Sequence, residues 1–333
     1  MRKIHALSAV VVASTLALVG CGGDGDDGGD NPTTLTTITA ANAAQVSSVV
    51  YEAASVLFDV ASSTGSLPVG AVVSEGSARH GSGLGLASFA ARQLKIVTSR
   101  TLPAATGAVG AVYEETFQCA DGGTVTERID DADNNGTDSV GDSVKLSFAN
   151  CVEEGLTSNG EISFKLTLDS GTSYGADVTF GNLVINDGTD VVGANGAFNL
   201  LITQNADVSE VYSIAGNSLT SSMNGDEHTL TGFTGTATTD LVLGTVTYTF
   251  KGGVSDTSNG IAVNAETVKA FVARMVDEYP GSGTLRSTGA GNSQALLETL
   301  SSTLVRISAD PEGDGRFTAP VIWSWAALED LPS

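Results

Sequence analysis

The stretch SVKLSFANCVEEGLTSNGEISFKLTLD, residues 143–169, decides the fold. Val144, Leu146 and Phe148 alternate with Ser143, Lys145 and Ser147, and Ile162, Phe164, Leu166 and Leu168 alternate with Ser163, Lys165, Thr167 and Asp169. A period of two sends successive side chains to opposite faces, so each run reads as a strand with one buried and one wet face, the antiparallel pattern. Farther on, Val242, Val246, Tyr248 and Phe250 alternate with Thr245, Thr247 and Thr249 in the same way. Turn chemistry at Ser158-Asn159-Gly160, Asp187-Gly188, Asn195-Gly196, Asn224-Gly225 and Ser258-Asn259-Gly260 separates successive runs. The spacing predicts a long antiparallel meander over 111–328, curved or barrel-like because so many strands must manage their edges. Forty glycines, seven prolines and abundant Ser and Thr suit a turn-rich β protein.

Two segments stay open between helix and strand. Residues 264–276 can be a helix through Val268, Phe271, Val272 and Met275 or a strand, and 293–308 can be a helix through Leu296, Leu297, Leu300 and Leu304 or a hairpin turning near Ser301-Ser302. At the end, Phe317, Ala319, Val321, Trp323 and Trp325 are expected on one strand face, as sheet-face or core packing.

Ahead of the β region the period is helical. From Thr39 to Ser63, Val46, Val49, Val50, Ala53, Leu57, Val60 and Ala61 form an apolar stripe, with Gly65 as a stop. This amphipathic helix is expected to pack on the β domain. Residues 64–86 are a Gly/Ser-rich loop and 87–97 a second short helix, so 38–110 reads as a helical and Gly/Ser-rich N-terminal segment.

The first residues carry an address. Arg2 and Lys3 precede a run from Ile4 to Val19 that is mostly Ala, Val and Leu, the order of an export signal. The run is interrupted by Ser8, Ser14 and Thr15 and is shorter than the ~20 apolar residues a membrane span requires. Leu18-Val19-Gly20-Cys21 resembles the bacterial lipobox, which implies cleavage after residue 20, acylation of Cys21, and attachment to the membrane through several chains where one would hold only marginally. Gly22 directly after the cysteine implies outer-membrane sorting in a Gram-negative cell. Residues 21–37, CGGDGDDGGDNPTTLTT, have little to bury and read as a flexible acidic tether.

Charge and cysteine use fit that compartment. The formal net charge of −23 becomes −25 once Arg2 and Lys3 are gone, a balance that repels phosphate backbones and excludes nucleic acid as a partner. With Cys21 acylated, Cys119 and Cys151 remain, an even pair in an oxidising compartment and so an expected disulfide. It closes a loop of about 30 residues, for which chain entropy suggests about 3 to 4 kcal/mol.

Cys119 with Gly122-Gly123-Thr124, the aspartate-rich turn, Gly141-Asp142 and Asn150-Cys151 resemble a pattern found in Gram-negative bacterial lipoproteins of uncharacterised function. The tail is similar too, in Tyr279-Pro280-Gly281-Ser282-Gly283-Thr284-Leu285, Gly289, and Asp314-Gly315 leading to Trp323 and Leu328. The resemblance covers most of 113–328 and departs at DPEGDG, 310–315, where Pro311 and Glu312 replace a plainer Asp/Gly run. It implies a lipid anchor and a β-rich body, and no particular activity.

The loop the cysteines enclose contains DDADNNGTDSVGD, 130–142. With Asp131 at position 1, Asp133, Asn135, Thr137, Ser139 and Asp142 fall at 3, 5, 7, 9 and 12, with Gly136 at the sharp turn, the order in which a calcium loop presents hard oxygen ligands. Asp142 stands where a bidentate Glu is usual, and strands flank the loop where helices would be expected; acidic Asp/Asn/Gly turns also occur without an ion. A calcium ion here would be structural and of extracellular strength, ~10⁻⁴ to 10⁻³ M. Gly171-Thr172-Ser173-Tyr174-Gly175 matches G-x-S-x-G, but a strand pattern follows where a nucleophile elbow needs a helix. His80 and His228, far apart, give zinc no ligand set, and no phosphate-binding glycine loop is present. The expectation is a non-enzymatic binding or structural module of the cell envelope, with protein or glycan partner open. The alternatives are a carrier of an apolar ligand in a β cavity and a carboxylate-based hydrolase.

Overall fold

The computed structural model describes residues 34–63, Ala90, Leu94 and 111–331, except Asp138, Glu154, Asp187, Thr189, Asp190, Ala206, Asp207, Asn224, Gly225 and Glu278. The export signal, Cys21 and most of the tether lie outside the described residues. So do most of 64–110, where Ala90 and Leu94 are helical and buried.

Fourteen strands follow one another, each hydrogen-bonded to its chain neighbour in a single antiparallel sheet. They are β1 Ala111–Gln118, β2 Gly122–Asp131, β3 Ser143–Glu153, β4 Leu156–Asp169, β5 Ser173–Asn186, β6 Val191–Asn205, β7 Ser209–Met223, β8 Asp226–Asp240, β9 Thr245–Asp256, β10 Ile261–Arg274, β11 Ser282–Thr288, β12 Gln294–Thr299, β13 Leu304–Asp310 and β14 Val321–Ser324. The sheet is open, with β1 and β14 as its edges. Both open segments are strands: 264–276 lies mostly in β10, and β12 and β13 form a hairpin that turns at Ser301-Ser302.

Two of the five expected turns are not turns. Ser158-Asn159-Gly160 lies within β4 and Asn195-Gly196 within β6. At Asn159/Glu161 the β4–β5 register slips, and at Ala197/Asn199 the β6–β7 register slips. Gly160 has φ +95° and Gly196 φ +125°, so glycine supplies a bulge conformation by the same freedom that lets it form a hairpin turn. Similar slips occur at Phe148/Cys151, Phe180/Leu183, Thr231/Thr234 and Glu266/Phe271, each opposite the irregularity of the neighbouring strand. The bulges therefore line up as a crease across the sheet, and bulges bend strands and increase their twist.

The crease lets the sheet curl around α1, Ala43–Ser63. Asn42 and Thr39 exchange side-chain to main-chain bonds at its start, a reciprocal cap. Every residue from Val46 to Tyr51 is buried. The stripe expected to lie on the sheet is thus enclosed nearly all round, and α1 touches β7, β8 and β9 as well as β11, β12 and β13. Tyr51 meets Trp325 at 4.4 Å and Phe271 at 5.7 Å between ring centroids; Tyr248 stacks on Phe271 at 5.0 Å, and Tyr279 on Trp325 at 5.4 Å. Aromatic pairs at such distances contribute beyond their buried area.

The expected common face for Phe317 to Trp325 is not formed. Residues 316–320 are irregular, Phe317 and Val321 are exposed, and Trp325 opens a short helix, α2 Trp325–Glu329, capped by Ser324. Burying Trp325 against Tyr51 outweighs strand continuation, because a large aromatic recovers more apolar area in the core than at an open edge.

The expected tether ends earlier than residue 37. Thr36 donates its N–H to the Ala262 carbonyl and accepts from Ala290 N–H, and its hydroxyl reaches Gly260. The threonine run supplies backbone bonds as well as solvation. A Cβ on Gly289 would lie 2.0 Å from Thr36 O, so glycine is what admits this segment.

Trp325→Ala should lower stability by about 3–5 kcal/mol, read as a shifted urea midpoint with unchanged slope. Gly289→Ala should displace residues 34–38 and raise amide exchange at Ala262 and Ala290, leaving β2–β6 protected; unchanged exchange there would contradict the close approach.

Candidate metal centre

The loop joining β2 to β3 is built from its two ends inward. Asp131, the last residue of β2, and Asp142, just before β3, are both fully buried. The Asp131 carboxylate accepts Asn135 N–H at 3.2 Å and Gly136 N–H at 2.9 Å. Asp142 accepts Ala132 N–H at 2.8 Å, Ser139 N–H at 2.6 Å and the Ser139 hydroxyl at 3.0 Å. Asn134 and Gly136 both adopt positive φ, which Asn and Gly tolerate best. Gly141 N–H and Asp142 O bond to the main chain of Leu166, fastening the loop to β4.

Of the six residues expected to ligate calcium, the three aspartates converge. Carboxylate oxygens of Asp131, Asp133 and Asp142 lie within 4.8 Å of one another. Asn135 instead turns its Oδ1 to the N–H and hydroxyl of Thr137, each at 2.7 Å, and donates through Nδ2 to Asp133 at 2.8 Å. Ser139 spends its hydroxyl on Asp142. Asn135, Thr137 and Ser139 therefore set the shape of the loop in this state, while the carboxylates carry its charge. A carboxylate oxygen has two lone pairs, so one N–H bond leaves capacity for a metal. No described Lys, Arg or His forms an ion pair with any of the three acids. Neighbouring carboxylates with two of them buried repel unless a cation offsets them, and calcium takes oxygen ligands of this kind. Asn134, outside the expected set, has a buried Oδ1 with no partner; an i, i+2 ligand pattern gives no signal for it.

At the opposite ends of β2 and β3 stands the disulfide. Cys119 and Cys151 are bonded at 1.98 Å with Cα atoms 5.4 Å apart, and both are buried. Glu153 lies close by, but the disulfide uses the thiols a metal would need. The β2–β3 pair is thus fastened covalently at one end and by the acidic loop at the other.

Other sequence candidates settle into structural roles. Ser173 is the first residue of β5, and its hydroxyl donates to Thr203 at 3.3 Å within the sheet. His80 lies outside the described residues. His228 Nδ1 sits 3.6 Å from the buried carboxylate of Asp256, which accepts Asn259 N–H and Nδ2 and the Ser258 hydroxyl. Burial would raise the Asp256 pKa, but the bonds from Ser258 and Asn259, with His228, hold it below its usual value of 3.8. Asp256 shapes the β9–β10 turn that receives Thr36 and Gln45.

No family model, curated protein or solved structure matches this chain.

Asp142→Ala strands the N–H groups of Ala132 and Ser139 and should cost about 2–4 kcal/mol in urea unfolding, more than Asp133→Ala, whose bonds are exposed. Because the folded pKa of Asp256 is depressed, its stabilising contribution is complete above the unfolded value of 3.8 and disappears as pH falls through the lower folded value. A pH series of urea midpoints should therefore fall in that acid range, and Asp256→Asn should flatten this part of the curve.

Proposed function

We propose that this protein is a non-enzymatic binding or structural module of the Gram-negative cell envelope, held at the outer membrane through lipidated Cys21 and stabilised by calcium in the β2–β3 loop. The observation that carries the calcium reading is the convergence of Asp131, Asp133 and Asp142, with none of the described Lys, Arg or His side chains ion-paired to them. Hard oxygen donors in a loop of Asp, Asn and Gly favour calcium over the softer transition metals. The ion would join the disulfide in clamping the first long hairpin, which suits a protein working outside the cytoplasm. Its chemistry would be structural: neutralising buried charge and holding the loop closed.

Packing favours this reading over a carrier of apolar ligands. Inside the curve of the sheet lie the described part of α1, with Tyr51, and the buried rings of Tyr248, Phe271 and Trp325. The address rests on Arg2 and Lys3, the apolar run and Leu18-Val19-Gly20-Cys21. No described helix is long and apolar enough to cross a membrane.

Thermal unfolding with chelator and with millimolar calcium tests the ion. Calcium in ten- to hundredfold excess over the dissociation constant should stabilise the protein by about 1.5–3 kcal/mol. Asp133→Ala should leave the midpoint in chelator nearly unchanged yet abolish the calcium-dependent rise, whereas Asp131→Ala should do both kinds of damage. Equal midpoints with and without calcium would make the loop an acidic turn only. Cys21→Ser should move the protein from the membrane fraction to the soluble one; continued membrane association would remove the lipid anchor from the proposal.

A further inference from the structure

In a meander, alternate connections share one end of the sheet. The end that holds the β6–β7, β8–β9 and β10–β11 connections carries Val208, Leu241, Val242, Leu243 and Val276, all exposed. Val276, Val242 and Leu243, at 84%, 73% and 72% accessible, are the three most exposed large hydrophobic side chains of the described residues. The β9–β10 turn at the opposite end is Thr257-Ser258-Asn259-Gly260, the polar chemistry that joining two strands ordinarily uses. Main-chain bonds tie the apolar connections into one tip: Leu241 N–H donates to Val208 O, and Met275 N–H, next to Val276, donates to Gly244 O. The Asp240 carboxylate accepts Val242 N–H at 2.9 Å and Leu243 N–H at 2.8 Å. The turn is therefore held by its own acid while its aliphatic side chains stay in solvent. Adjoining apolar residues exposed in this way mark a contact surface.

We propose that this tip inserts into the interface of a zwitterionic lipid bilayer. The N–H groups of Leu241, Val242 and Leu243 already have partners within the protein, which removes the main penalty for entering a layer poor in water. Charge selects the surface. Arg274 is held by both carboxylate oxygens of Asp277, at 2.8 and 2.7 Å, and so offers little to anionic headgroups. Asp240, with Asp207 and Glu278 in the adjoining sequence, adds negative charge, which an anionic bilayer repels and the ammonium groups of phosphatidylcholine and phosphatidylethanolamine attract. The chain's net charge of −23 likewise opposes a second copy as the occupant. The proposal rests on the lipid-anchor reading for its source of bilayer. Residues 21–36 reach at most about 50 Å, and Thr36, bonded at Ala262, is separated from the tip by the length of β10 to Arg274, about 40 Å. The tether is thus long enough for anchor and tip to enter the same bilayer. Partial insertion of a few side chains holds a protein only marginally, as a single acyl chain does, so the tip orients a domain that the anchor retains.

The test is flotation of the mature chain, residues 21–333 with Cys21→Ser, with vesicles of phosphatidylcholine and phosphatidylethanolamine at millimolar lipid, and with phosphatidylglycerol vesicles in parallel. The protein should float with the zwitterionic vesicles and much less with the anionic ones. Val242→Asp combined with Leu243→Asp should lower the partition coefficient about tenfold or more, and Val276→Asp should lower it too. Ile322→Asp, an exposed apolar position on β14, should leave it unchanged, and urea midpoints should match the parent's because all four side chains are in solvent. The proposal is overturned by absence of flotation, by flotation that the tip substitutions leave intact, or by preference for phosphatidylglycerol. A dimer in sedimentation velocity that the same substitutions dissolve would also overturn it, making the tip an interface between copies. Failure of the anchor reading shows separately, as wild-type protein without added acyl mass, and leaves the flotation result standing.

Discussion

Enclosure of α1 by the sheet is the constraint on which the remaining structure depends. Among the described residues the fourteen strands have no second sheet to pack against, and an open sheet this wide cannot bury one face by staying flat. The helix supplies Val46, Val49, Val50, Tyr51 and Ala54 as buried apolar surface, and the aligned bulges give the sheet the curvature to reach around it. Trp325 and Tyr279 then cover the helix from the C-terminal end, and Glu329 accepts the Tyr279 hydroxyl at 2.6 Å, tying α2 to the same cluster.

Much of the architecture was legible because the meander is local. Alternation in 143–169 and 245–250 identifies strands whatever they pair with, since a wet face must be polar and a dry one apolar. The bulges were not legible: Asn-Gly at 195–196 permits a positive φ, and only the neighbouring strand decides whether that freedom makes a turn or a kink. Likewise Trp325 alternates as a strand residue would, and its helical placement follows from Tyr51, nearly three hundred residues earlier in the chain. The 264–276 segment could not be decided by period because the alternation lapses between Glu266 and Ala270, where the β9–β10 register slips, before resuming at buried Phe271. At the candidate metal centre, Asp131, Asp133 and Asp142, which the spacing singles out, lie close together. The spacing could not show that Asn135 would turn toward Thr137.

Buried aspartates at strand ends form a repeated device. Asp131, Asp142, Asp256 and Asp310 are all essentially inaccessible, and each carboxylate accepts main-chain N–H groups of an adjoining turn. Asp310 alone takes the N–H groups of Gly313, Asp314 and Gly315. Part of the protein's large negative charge is therefore internal scaffolding for turns. What sets 130–142 apart is the closeness of two such acids to each other and to the exposed Asp133. At the β1 edge the acids act differently: self-pairing of two β1 strands about their centre would place Glu114 of one copy against Glu115 of the other, which discourages edge-to-edge association.

Enclosing the first helix with the last strands also orders events in time. Ser48 bonds to Leu328 O and Tyr51 rests on Trp325, contacts that a chain emerging from its amino end cannot make until it is almost complete. The hairpins can form as they appear, since each strand pairs with the next, and α1 can lie against β7–β9, but its face toward β11–β13 and Trp325 must wait. Closure of the helix's remaining face is then the last event that chain order allows, and the interval before it is when a chaperone has most to hold.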